Sequence, residues 1–151
     1  MKKIFFLLFS FSTILFACNN SGNTSVSKSD TFNPASILND TTDLSKYTTI
    51  KWLDSVVNFG SVIKGAQVKV VFRFMNTGTH PLYIIYAKPG CGCTIADFTK
   101  GAIMPGKEGE VTAQYDSNHG NPGQEIKKSI FITCNAINQI RYNLVFTGMV
   151  K

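Results

Sequence analysis

The stretch Gln67–Asn76, QVKVVFRFMN, places Val68, Val70, Phe72 and Phe74 at every second position, with Lys69 and Arg73 between them. Successive side chains of an extended chain point to opposite faces, so this spacing predicts a strand with one face in a core. The runs PLYIIYA, EVTAQY, KKSIFIT and IRYNLVFTGMV continue the pattern, separated by the turn-rich pieces NTGTHP, KPGCG, MPGKEG, NHGNPG and NAINQ. No segment after residue 48 keeps a helical period for three turns. Short alternating runs so closely punctuated predict an all-β fold, an antiparallel β-sandwich of about seven strands. The strands are expected over residues 49–58, 67–76, 81–87, 94–99, 109–116, 125–134 and 140–150.

The start of the chain reads differently. Lys2 and Lys3 precede an uncharged run from Ile4 to Ala17. As a helix this run would span about 21 Å, short of the roughly 30 Å hydrocarbon core of a bilayer. That is the form of a cleaved export signal over residues 1–17. It ends in Leu15-Phe16-Ala17-Cys18, which resembles the lipobox of bacterial lipoproteins, whose cysteine becomes an acylated N-terminus. Cys18 is therefore the expected lipidation site, the alternative being an ordinary secretory signal beside an incidental cysteine. Acyl chains contribute about 0.8 kcal/mol per buried methylene, so several make a stable anchor. Asn19 is not the aspartate that retains some lipoproteins at the inner membrane. The expected location is the cell envelope, at the outer membrane facing the periplasm.

Residues 18–48 are polar, rich in Ser, Thr, Asn and Asp, with apolar residues in no period. Such a segment cannot bury enough to offset its ordering entropy, and is expected to be a flexible linker. The folded domain is then residues 49–151. The chain carries a formal charge of +6, but its basic residues are scattered, without interleaved aromatics. Nucleic acid is excluded as a partner on this ground. The expected partners are the membrane, through the lipid anchor, and an unknown envelope protein.

The run VNFGSVIKGAQVKVVFRFMNTGTHPLYIIYAKPGCGCT, then IMPGKEGEVTAQYD, then TGMV, resembles the bacterial "domain of unknown function 1573" family over residues 52–150. Asn76-Thr77-Gly78, Cys91-Gly92-Cys93-Thr94, Pro105-Gly106 and Gly148 carry the likeness most specifically. The resemblance implies export and an immunoglobulin-like sandwich, and it implies no activity.

Two cysteines flank one glycine at Cys91-Gly92-Cys93. With Greek-key connections, the loops after the first, third and fifth predicted strands gather at one end of the sandwich. Cys134 closes the sixth strand at the other end, beyond disulfide reach of about 7 Å, and its parity with Ile130 and Ile132 faces it into the core. Cys91 and Cys93 then have each other. They form a turn with free thiols, a small-ring disulfide whose torsions Gly92 supplies, or a grip on a soft ion such as copper or zinc. His119 is expected to reach the same end and would join a metal or redox group there, with Asp116 as a weaker member. His80 lies at the far end.

No carboxylate pair or Ser-His-Asp signature stands out among only nine acidic residues. Asp40-Thr41-Thr42 and Asp54-Ser55-Val56 resemble short O-glycosylation sites, making Thr41 and Ser55 candidate modification positions. The sequence therefore predicts no enzyme and no resident cofactor. It predicts a non-catalytic, tethered envelope module that acts by interaction or support, with metal handling (copper or zinc) or thiol redox at Cys91-Gly92-Cys93 as the alternative.

Overall fold

A computed structural model describes residues 33–39 and 43–151. Among the described residues eight strands form two four-stranded sheets. β1 (Ile50–Trp52), β3 (Gln67–Asn76), β6 (Glu108–Asp116) and β5 (Thr94–Phe98) make the first, in the order β1-β3-β6-β5. β2 (Val56–Val62), β8 (Arg141–Val150), β7 (Glu125–Cys134) and β4 (Ile84–Pro89) make the second, in the order β2-β8-β7-β4. Their inner faces meet in one core. Phe72, Phe74, Val111, Tyr115, Ile130, Ile132, Leu144 and Phe146 are all buried there. No helix among the described residues is long and apolar enough to cross a membrane.

The first expected strand, 49–58, is in fact two. At Arg73 the chain leaves β3: the N–H groups of Leu53 and Asp54 both donate to the Arg73 carbonyl, at 2.9 and 3.2 Å. Asp54 Oδ2 accepts from Arg73 Nε at 2.8 Å. The chain then crosses to the second sheet, where the Ser55 carbonyl accepts from Val145 N–H at 3.0 Å. β2 enters alongside β8 in the same direction, so one pair of this otherwise antiparallel sandwich is parallel. Trp52 fills the corner left by the crossing, its ring 5.1 Å from that of Phe74 and 5.3 Å from that of Tyr142.

β4 starts three residues later than expected. Leu82 instead exchanges two backbone hydrogen bonds with Ile103, each 2.9 Å, and ties the β3–β4 and β5–β6 connections together. The segment ahead of the domain also departs from a featureless linker. Pro34–Asn39 and Leu44–Lys46 form 3-10 turns, and Ile37 and Tyr47 are buried. The side-chain amide of Asn135 donates to the carbonyls of Lys46 (2.7 Å) and Pro81 (3.0 Å), and its oxygen accepts from Tyr83 N–H at 2.7 Å. One buried asparagine thus fastens the entering chain and the β3–β4 connection to the end of β7. The residues entering the sandwich reach the end that carries the β3–β4, β5–β6 and β7–β8 connections.

Candidate functional site: the disulfide turn

The opposite end collects the β2–β3, β4–β5 and β6–β7 connections. Asp116 N–H donates to the Cys93 carbonyl and Ser117 N–H to that of Ala66, at 3.0 and 3.1 Å. These bonds bring the three connections together at one end, as the expected topology requires. Gly90 lies opposite Ser129, so five residues of β7, about 17 Å of strand, separate the turn from Cys134.

Cys91 and Cys93 are joined in a disulfide, their Cα atoms 5.4 Å apart. Gly90, just before them, extends the β4–β7 pairing, its N–H bound to the Ser129 carbonyl at 2.9 Å. Cys93 is buried against the core at 9% exposure, whereas Cys91 is half-buried at its rim. Gly92 does not supply unusual torsions. It is absent from the glycines with left-handed φ, and a Cβ there would meet open space. A bond between residues two apart removes little freedom from the unfolded chain, about 1.6 kcal/mol by the loop-entropy relation, against about 4.7 for a 100-residue loop. The turn is held by its backbone bonds and by the burial of Cys93 and Thr94 more than by its sulfurs.

Thr94 opens β5 with a buried side chain, and its hydroxyl lies 3.7 Å from Cys91 Sγ and 3.9 Å from Cys93 Sγ. His119 ends a short 3-10 turn, Ser117–His119, and pairs with its own neighbour: Nδ1 stands 3.8 Å from Asp116 Oδ2. The Asp116 carboxyl is held below its usual range, chiefly by the backbone N–H of Asn118. Among the described residues no group of three His, Cys, Asp or Glu side chains is placed to hold a metal ion. His80 sits in the β3–β4 connection at the other end, its Nδ1 3.2 Å from Thr79 Oγ1. Cys134 is a free thiol facing the core, as its parity predicts, and burial pushes its pKa up to about 11. Ser55 is exposed on the crossing between β1 and β2. Cys18 and Thr41 lie outside the described residues.

Local sequence pattern does not say which strand lies at an edge of a sheet. Among the described residues β5 is an edge strand, paired on one side only, with β6. The Cys93 carbonyl and the Thr99 N–H both bond to the β6 side. Antiparallel ladders alternate, so the N–H and C=O groups of Thr94, Ala96 and Phe98 are directed away from β6. On the outer face beside them Ile95 is 71% exposed. The lower end of the edge is blunted by Lys100, which pairs with Asp97 at 2.8 Å and lies 3.4 Å over the Phe98 ring.

The family model "Protein of unknown function (DUF1573)" matches residues 50–150. The chain belongs to the DUF1573 family. Among solved structures, a protein of unknown function from Porphyromonas gingivalis W83 is 18% identical with a TM-score of 0.60. The match covers 68% of this chain and 47% of that one, so this DUF1573 chain corresponds to less than half of it. The ASH/PapD-like domain 7 of human CEP192 is 11% identical at a TM-score of 0.50, covering 70% of this chain and 87% of that one. The YadV chaperone is 16% identical at 0.50, covering 68% and 52%. At these identities the likeness shows an immunoglobulin-like, PapD-like sandwich. No curated protein matches the chain.

Proposed function

We propose that this DUF1573 protein is a non-catalytic cell-envelope lipoprotein, anchored through acylated Cys18, whose sandwich binds an extended segment of another envelope protein along β5. The observation that carries this reading is the β5 edge, with outward backbone groups at Thr94, Ala96 and Phe98 beside the exposed Ile95. An added strand would satisfy those groups, and Ile95 would give it an apolar contact. The polar residues from 19 onward suit a tether, and Asn19 favours the outer membrane. The entering chain joins the end opposite the disulfide turn, which supports an arrangement with that turn directed away from the membrane.

A photo-crosslinking residue at position 95, in intact cells, tests the edge. The expected result is one adduct of defined mass that is absent when the crosslinker replaces Leu53. Equal adducts at both positions, or none, contradict the reading. The anchor is tested separately: Cys18→Ala is expected to abolish lipid labelling, and unchanged labelling would rule Cys18 out.

A further inference from the structure

The disulfide turn is chemically asymmetric. The two sulfurs differ in access, Cys91 at the rim and Cys93 against the core. Thr94 is 5% exposed, and its hydroxyl faces both sulfurs. A disulfide sulfur is a weak acceptor, so a hydroxyl buried against it is poorly satisfied. A thiolate accepts a charge-assisted hydrogen bond, which is shorter and stronger. The Thr94 contact therefore gains strength as the S–S bond opens, and a contact that strengthens along a reaction lowers its barrier. Opening also meets little resistance from the fold, because the turn is fixed by backbone bonds at Gly90 and Cys93.

We propose that Cys91–Cys93 is a thiol–disulfide exchange site for a polypeptide dithiol, with Cys91 as the attacked sulfur and Cys93 as the leaving thiolate that Thr94 stabilises. This goes beyond strand binding at β5 and does not depend on it. A substrate thiolate attacks Cys91 Sγ and forms a mixed disulfide. The Sγ–Sγ bond breaks, and Cys93 leaves with the electron pair, accepting a hydrogen bond from Thr94. The second substrate thiolate then attacks the substrate sulfur of the mixed disulfide and releases Cys91 as a thiolate. The substrate dithiol is oxidised to a disulfide, Cys91 and Cys93 are reduced, and the two substrate protons end on the two cysteines. Attack at Cys93 is disfavoured by its burial.

The test uses the full chain in detergent at one neutral pH. Reduced glutathione is added, the reaction is stopped with acid, and adducts are mapped by mass spectrometry while circular dichroism follows the fold. The expected adduct is on Cys91, formed with the fold intact. Opening by dithiothreitol is expected to slow about tenfold in Thr94→Val and to recover in Thr94→Ser, since a hydrogen bond to a charged group is being removed and restored. An adduct on Cys93, or opening only on unfolding, would overturn the proposal without any variant. Equal rates for Thr94→Val and the wild type would remove Thr94 from it.

Discussion

Asp116 donates its backbone N–H to the carbonyl of Cys93 at 3.0 Å, stitching the disulfide turn to the loop that follows β6. Cys93 is also buried, so the turn has two supports that survive loss of its sulfur bond. Replacing Cys91 and Cys93 together with serine is expected to cost no more than about 2 kcal/mol in denaturant unfolding. A loss near the whole margin of a domain, about 5 kcal/mol or more, would mean that the disulfide itself holds the turn.

Asn135 has the opposite character. Its side chain holds Lys46, Pro81 and Tyr83 at once and is fully buried. Asn135→Ala leaves two carbonyls and one N–H to find other partners. A loss of about 3 kcal/mol is expected, together with faster proteolysis between residues 33 and 48. Exposed Asn143→Ala, on the neighbouring strand, is expected to stay within about ±0.5 kcal/mol. Equal losses would show that the Asn135 bonds do not close this end.

Two glycines of the family likeness separate cleanly. A Cβ at Gly148 would collide with the Phe59 ring, which packs over it inside the sandwich, whereas one at Gly92 meets nothing within 4 Å. Gly148→Ala is expected to cost about 1–3 kcal/mol by overpacking. Gly92→Ala is expected to leave both stability and the disulfide unchanged. Thermal melts of the two variants check this, and a destabilised Gly92→Ala would reveal a backbone need at that turn.

Cys134 predicts a pH effect. Its folded pKa, about 11, lies above the ordinary 9.0 because burial disfavours the thiolate. A raised folded pKa means stability fully present below pH 9 and lost as pH rises toward 11, since only the unfolded chain ionises freely. Unfolding titrations across this range are expected to show a shallower decline in Cys134→Ala than in the wild type. Identical slopes would place the thiol in a wetter environment. In the native protein at pH 8, Cys134 is expected to resist alkylation.

Much of this was legible in the residues, and the failures have a common cause. The spacing of Val68, Val70, Phe72 and Phe74 located β3 to the residue, because one face of that strand is buried along its whole length. The placement of Cys91 and Cys134 at opposite ends follows from the Greek-key connections expected between the strands. The break between β1 and β2 was missed because Leu53, Asp54 and Ser55 bend the chain through bonds to Arg73 and Val145, both distant in sequence. Ile37 and Tyr47 looked like stray apolar residues in a polar linker, since what covers them lies in the sandwich. Asn135 read as one more turn asparagine, and its partner at Lys46 is 89 residues away. Local pattern reports faces, while these features depend on partners that only the fold brings near.

The claim that β5 is the binding edge has a direct test in Ala96→Pro. The Ala96 N–H points away from β6, so proline removes a donor from the free edge while the β5–β6 ladder keeps its bonds. Crosslinking from position 95 in intact cells is measured with and without this change, with circular dichroism and melting of the purified domain as the fold check. The account predicts a folded variant whose crosslink is lost. A folded Ala96→Pro protein that crosslinks as well as the wild type would contradict strand addition at β5.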